Sequence, residues 1–325
     1  MADGVETGVG VAAAAELFRH GAAEMGRVIA GQDEAVAQSL ATMLCGGHAL
    51  IEGVPGVAKT LTVKTLARFL GLDFRRVQGT PDMMPADILG TSVFSPKTAE
   101  FSFHQGPVFT QFLLADEINR MPPRTQAALL ESMEERQVTA DGERHVLDGY
   151  FTVFATQNPV EFEGTYPLPE AQLDRFLLKI RIGYPSREDE RTILERHHGA
   201  IDPGGLAETP VEPVPFELLA QARREIRAVR VEPAMFEYLL NIVRRTRDWP
   251  AISLGASPRA STSLLLMAKV LAAKEGRDFV VPDDVKEAAI PVLRHRLVLR
   301  PEAELEGMDP DRVVSEVLQA TPVPK

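Results

Sequence analysis

Two stretches carry residues able to handle a polyphosphate. The first is Gly53-Val54-Pro55-Gly56-Val57-Ala58-Lys59-Thr60. It follows an apolar run, Ala49-Leu50-Ile51, and precedes a helical pattern over 61–70 that opens on Leu61, giving the order strand, Gly-rich loop, helix. Backbone N–H groups of such a loop and of the first helical turn converge on one point, where the helix dipole adds positive potential. Lys59 can reach the β- and γ-phosphates, and the Thr60 hydroxyl can ligate Mg²⁺. The pattern G-x-x-x-x-G-K-[ST] has Gly where this chain has Ala58. A methyl is accommodated there if the position takes helical dihedrals, which Ala favours. The competing reading is a Gly/Pro turn before a helix with no ligand at all.

The second stretch is Phe112-Leu113-Leu114-Ala115-Asp116-Glu117. The apolar run reads as a buried parallel strand, and it ends in two carboxylates at the edge where open α/β sheets bind ligands. With a phosphate loop upstream, Asp116 suits holding Mg²⁺ and Glu117 suits orienting and polarising the attacking water. Alone, the pair would read as a solvated acidic turn. A third run, 151–158, ends in Asn158, placed either to hydrogen-bond the nucleophilic water or γ-phosphate, or to cap a turn before Pro159.

Strands at 74–77, 112–117, 151–158 and 177–182 alternate with helical patterns at 61–70, 124–135 and 169–176, which predicts a parallel sheet covered on both faces. A helix over 11–28 precedes a turn at Gly31-Gln32-Asp33-Glu34 that opens a second helix. Between the strands lie a long irregular stretch at 78–87, paired strands within 88–109, and a hairpin over 137–149 turning at Asp141-Gly142. Residues 1–10 read as a flexible tail, 11–199 as the nucleotide-binding domain, and Gly/Pro-rich 200–215 as a linker. From 216 to 325 only helices are expected, separated near Glu232-Pro233, Trp249-Pro250, Gly276 and Pro291. In that part Ser257-Pro258 suits an N-cap and first helical residue. Arg259 then opposes the helix dipole, which fits an anionic partner outside the helix or a water-exposed head.

Composition limits the function. A chain of 325 residues, 45% apolar and 25% charged, is long enough for two ordinary globular domains. The net charge of −11 and pI near 5.2 argue against non-specific binding to nucleic acid or anionic lipid. The lone Cys45 forms no intrachain disulfide, the N-terminus lacks a basic region and apolar signal core, and no apolar run is long enough to span a bilayer. A cytoplasmic location is expected.

Together these residues resemble the AAA+ ATPases and, within them, the MoxR family, over about residues 11–320. The resemblance is carried by the phosphate loop with its Ala58, Leu-Leu-Ala-Asp116-Glu117-Ile-Asn-Arg, Ala-Thr-Gln-Asn158-Pro, Pro-Glu-Ala-Gln-Leu-Asp-Arg175-Phe, Ala-Ser-Pro-Arg259, and the Gln78-Gly-Thr-Pro-Asp stretch. Ala in place of the last loop Gly is similar to MoxR proteins. The resemblance implies a P-loop AAA+ α/β domain with a parallel central sheet, followed by a small all-helical lid. It implies ATP and Mg²⁺ as cofactors, with the nucleotide held by Gly53, Pro55, Gly56, Val57, Ala58, Lys59, Thr60, Leu61 and Asp116. Gln32 and its turn resemble the segment that covers the adenine. Asn158 would be sensor 1, Arg259 sensor 2 on the lid, and Arg175 the arginine finger acting on a neighbouring subunit, with Arg120 a second candidate. The resemblance further implies self-association as a hexameric ring and chaperone-like remodelling of a client protein, often with a von Willebrand factor A domain protein. The hairpins within 88–109 and 137–149 would be pore or substrate elements. A nucleic-acid or metal-chelatase type motor and a non-hydrolytic nucleotide-gated adaptor are the alternatives.

Overall fold

The computed structural model describes residues 10–97, 99–159, 164–199 and 209–324. These fall into two compact units, Gly21–Pro213 and a second that joins residues up to His20 to those from Val214 onward. The expected tail lies outside the described residues except for Gly10, and the expected linker is described only from Thr209. Residues 11–20, expected with the nucleotide-binding domain, group instead with the C-terminal helices. The helix α1 (Ala12–Gly26) begins there. The Ala14 N–H donates to the buried Glu225 carboxylate at 3.1 Å, a contact spanning 211 residues of sequence that no local pattern announces.

In the unit Gly21–Pro213, five strands form one parallel sheet: β1 (Ala49–Gly53), β2 (Phe74–Gln78), β5 (Phe112–Asp116), β8 (Thr152–Gln157) and β9 (Leu178–Ile182). Their order is β2-β5-β8-β1-β9. Every residue of β5 is buried, and so is all of β8 except Gln157, which is why these strands read as unbroken apolar runs. Leu113, Ala115, Val153 and Ala155 share a cluster with Leu129, Leu130 and Met133 of the helix α5 (Pro123–Glu135). Phe112 stacks on Phe154 with ring centroids 4.9 Å apart. Each of the leucine, valine, methionine and phenylalanine side chains contributes about 1.5–3 kcal/mol by burial. Helix α2 (Asp33–Cys45) packs on β9, α3 (Lys59–Phe69) packs on β5, and α7 (Arg187–Gly199) follows β9 in the chain.

His48 pins the start of β8 to the end of α5. Its Nδ1 accepts the Val153 N–H at 2.9 Å and its Nε2 faces the Met133 carbonyl at 3.2 Å. Burial, reinforced by the Arg136 charge and partly offset by the Met133 carbonyl, lowers the imidazole pKa to about 3. The ring is therefore neutral, with its proton on Nε2.

Two antiparallel hairpins leave the sheet. One pairs β3 (Gly90–Ser95) with β4 (Glu100–Gln105), and the other pairs β6 (Gln137–Ala140) with β7 (Glu143–Val146). The second turns at Asp141 (φ 51°) and Gly142 (φ 81°), the double positive φ that a two-residue hairpin loop demands. The stretch expected to be irregular contains a short helix, α4 (Pro85–Leu89), whose Asp87 carboxylate accepts the Met84 N–H at 2.8 Å. One turn of helix is too short to display a 3.6-residue period.

The other unit is mainly helical: α8 (Phe216–Ala228), α9 (Pro233–Arg247), α10 (Pro258–Lys274), α11 (Pro282–Leu293), α12 (Pro301–Leu305) and α13 (Pro310–Ala320). Two expectations fail there. The unit holds an antiparallel ribbon, β10 (Ile252–Leu254) with β11 (Val298–Leu299), whose strands are too short to show alternation. Pro291 does not separate helices. It sits in the last turn of α11, which runs only two residues further, to Leu293. Among the described residues no helix is long and apolar enough to cross a membrane.

Candidate nucleotide site

The five strands of the sheet run the same way, so their carboxyl ends form one edge. The Gly-rich loop follows β1, Asp116 ends β5 with Glu117 next to it, and Asn158 follows β8, which lies between β1 and β5. Gly53 closes β1 where a Cβ would meet the Ile182 carbonyl at 2.6 Å, so a side chain is excluded. Pro55, Gly56 and Val57 form the turn, with Gly56 at φ 86°, and α3 starts at Lys59 with Thr60 and Leu61 in its first turn.

Ala58 departs from the expected helical dihedrals. Its φ of 63° and ψ of 21° are left-handed. The reason is the turn itself: the chain must reverse hand to enter α3, which is why the general pattern has Gly there, and the Ala methyl adds roughly 1–2 kcal/mol of strain. The Ala58 carbonyl accepts both the N–H and the hydroxyl of Thr62, at 2.8 and 3.0 Å, and this holds the turn closed. Lys59 Nζ donates to the Gly53 carbonyl at 2.5 Å, arching back across the loop.

Asp116 accepts hydrogen bonds from three side chains. Its Oδ1 accepts the Thr156 hydroxyl at 2.5 Å. Its Oδ2 accepts the Thr60 hydroxyl at 3.2 Å and the Arg76 guanidinium at 2.6 and 3.1 Å. Burial pushes the carboxyl pKa up, but the bonds from Thr156, Arg76 and Thr60 outweigh it and leave the group below the ordinary carboxylate range. Asp116 is thus ionised at neutral pH. Thr60 Oγ1 and Asp116 Oδ2 offer two adjacent hard oxygens. That donor set fits a small divalent cation sharing its coordination with phosphate and water. Among the described residues no group of three or more His, Cys, Asp or Glu converges into a self-sufficient metal cage.

Glu117 leaves the strand in a left-handed conformation, φ 54° and ψ 53°, and its N–H donates to Thr156 Oγ1 at 2.9 Å. Its carboxylate pairs with Arg120 at 3.0 Å. Gly79 N–H donates to the Asp116 carbonyl at 2.7 Å, and a Cβ on Gly79 would lie 2.3 Å from the Glu117 carbonyl. Asn158 is buried one residue past β8. Gln32, before α2, donates from Nε2 to the Gly183 carbonyl at 3.1 Å just beyond β9.

Arg175 follows the short helix α6 (Glu170–Leu173) and pairs through Nε with Glu134 of α5 at 2.9 Å. It borders an open cavity of about 510 Å³ with Glu131, Glu135 and Gln172. Arg259 belongs to the other unit. There Ser257 Oγ accepts the Arg259 N–H at 3.1 Å and caps α10, with Pro258 as its first residue, as the sequence implies.

The structure brings Thr60, Asp116 and Glu117 into one bonded network, with Lys59 bonded separately to Gly53, and adds three residues that sequence reasoning assigned no role: Arg76, Gly79 and Thr156. Thr156 had a usable signal, since it precedes Asn158 by two positions and residues so spaced on a strand share a face. Arg76 and Gly79 had none, because their neighbours come from β5, nearly forty residues away.

A parallel sheet in this order, with a lysine-threonine phosphate loop on one strand and an aspartate-glutamate pair two strands away, defines a P-loop ATPase of the AAA+ class. The match to the ATPase family associated with various cellular activities covers residues 48–178, and a match to the AAA lid domain covers 244–317. The chain is 44% identical over 332 residues to Chaperone MoxR1 of Mycobacterium tuberculosis, spanning 97% of this chain and 85% of that one. It is 46% identical over 301 residues to the uncharacterized protein YeaC of Bacillus subtilis, spanning 92% of each. A solved protein from Cytophaga hutchinsonii, provisionally described as an ATPase, superposes with a TM-score of 0.88 at 39% identity, over 97% of both chains. The chain belongs to the MoxR family of AAA+ ATPases. It binds nucleotide and is an ATPase.

Proposed function

We propose that this ATPase is Mg²⁺-dependent, works as a hexameric ring in the cytoplasm, and couples hydrolysis to remodelling or maturing a client protein, with a von Willebrand factor A domain protein as a candidate partner. The observation that carries the catalytic part is the continuous bonded chain from Thr60 through Asp116 and Thr156 to Glu117. The relative named Chaperone MoxR1 supports the client-directed part, and the single cysteine is in keeping with a reducing compartment.

In this reading Lys59 exchanges the Gly53 carbonyl for phosphate oxygens, and the loop N–H groups from Gly53 to Leu61 cradle the phosphates. Thr60 and Asp116 hold Mg²⁺, which when bound offsets charge developing on the phosphates. Glu117 gives up Arg120 and orients the attacking water, while Asn158 hydrogen-bonds that water or the γ-phosphate. Gln32 lies along the adenine. Arg259 reports the γ-phosphate to the lid, and Arg175, released from Glu134, acts on the nucleotide of the next subunit, with Arg120 as the other candidate. A finger supplied in this way contributes on the order of 10³–10⁵ in rate.

The ring is tested by mixing two inactive variants, Lys59→Ala and Arg175→Ala. Each is expected to hydrolyse ATP poorly alone, and mixed rings are expected to regain part of the turnover, measured as phosphate release. No recovery in rings shown to be mixed by co-purification of differently tagged subunits would remove Arg175 from the trans role.

A further inference from the structure

We infer that Thr156 is the positioning residue that sets the metal-binding carboxylate and the water-orienting glutamate in register with each other. The inference rests on the roles proposed above for Asp116 and Glu117.

The ladder between β5 and β8 runs to Ala115 opposite Ala155. One residue later β5 ends, and Glu117 turns into a left-handed conformation. Its N–H is thereby directed to a side chain, Thr156 Oγ1. An uncompensated N–H at this depth would be costly, so a structural role alone would require only that the hydroxyl accept. The hydroxyl also spends its single proton on Asp116 Oδ1. One atom thus fixes the rotation of the Asp116 carboxylate, leaving Oδ2 toward Thr60, and fixes the backbone from which the Glu117 side chain departs. Thr156 is fully buried, and its backbone lies in register with Ile51 of β1, the strand that leads into the phosphate loop. A β-branched side chain has few χ1 choices, so the oxygen is held rather than sampled. Residues that orient a metal ligand from behind cost roughly 10–100-fold in metal affinity or activity when removed.

The test compares Thr156→Val, which keeps shape and loses the hydroxyl, with Thr156→Ser, which keeps the hydroxyl. Three quantities are read: kcat for ATP at saturating Mg²⁺, the Mg²⁺ concentration giving half-maximal fluorescence of bound mant-ADP, and the Mg²⁺-free affinity for mant-ADP. Thr156→Val is expected to lower kcat and raise the Mg²⁺ midpoint, each by about 10–100-fold. Its metal-free nucleotide affinity is expected to stay within about threefold, under 1 kcal/mol. Thr156→Ser is expected to recover most of both losses. A Val variant that turns over like the parent overturns the inference, and so does a Ser variant as impaired as Val. If Thr156→Val does not fold, Thr156→Ala is measured in its place, and unfolding of both assigns Thr156 a purely structural role and overturns the inference. Glu117→Gln run alongside separates the two readings. If it still turns over, the assignment of the site fails; if it is inactive while Thr156→Val is active, only Thr156 is excluded.

Discussion

Ala58→Gly gives opposite results for the two backbone conformations considered for the loop. If Ala58 sat in right-handed helical geometry, Gly would lose roughly 1 kcal/mol of helix propensity. The structure places it at φ 63°, where Ala carries roughly 1–2 kcal/mol of strain that Gly does not. Gly gives back about 0.5–1 kcal/mol through its freer unfolded chain. The balance is a net stabilisation of about 0.5–1 kcal/mol, which for a unit of this size raises Tm by roughly 1–4 °C. Calorimetry of the nucleotide-free protein reads the sign directly. A second arm uses Ala58→Val, whose branched side chain tolerates left-handed backbone still less well. It is expected to lower both Tm and mant-ADP affinity. A fall in Tm for Ala58→Gly would refute the left-handed assignment and restore the helical one.

Two further outcomes follow from single atoms. Gly79→Ala brings a Cβ to 2.3 Å from the Glu117 carbonyl, so the end of β5 must shift; a displacement near 1 Å costs about 100-fold in kcat, read by phosphate release with the far-UV circular dichroism unchanged. Burial lowers the His48 pKa to about 3 in the fold, against about 6.5 in the unfolded chain. Between those values the unfolded chain binds a proton that the folded chain does not, so stability present above about pH 6.5 is lost on acidification, by up to about 1.4 kcal/mol per pH unit. In urea titrations from pH 7 to 5, His48→Gln is expected to flatten that slope relative to the parent; equal slopes would contradict the buried neutral ring.

What could be read from the sequence was what is local in the chain. The loop from Gly53 to Thr60 spans eight consecutive residues, and β5 and β8 are buried on both faces, so phosphate chemistry and sheet strands both left unbroken signals. The hairpin turn at Asp141-Gly142 was equally plain, since only a few residue types accept two positive φ values. Arg76 and Gly79 were silent because each acts across a strand boundary on Asp116 or Glu117, and Thr156 left only its spacing from Asn158 as a signal. The hand of Ala58 was misread because propensity speaks for the interior of a helix, whereas Ala58 stands at its entrance. The ribbon of β10 and β11, with three and two residues, offered no period to detect. One tie between α1's first turns and the C-terminal helices is Glu225, a carboxylate that reads as surface charge until its partner is seen.

The two hairpins belong to separate sheets, yet Phe103 of β4 lies flat on His145 of β7, with centroids 4.2 Å apart and planes 16° apart, and Phe109 meets the same imidazole edge-on. Flat-stacked rings lose much of their attraction within an ångström of separation. The two hairpins are therefore joined by ring contacts that any change in their separation weakens. The hairpins are also covalently continuous with the site, since β6 follows α5 after one residue, and α5 itself begins just past the turn that follows Glu117. Helix α5 thus joins, along one covalent path, the turn that carries the two carboxylates to the paired hairpins.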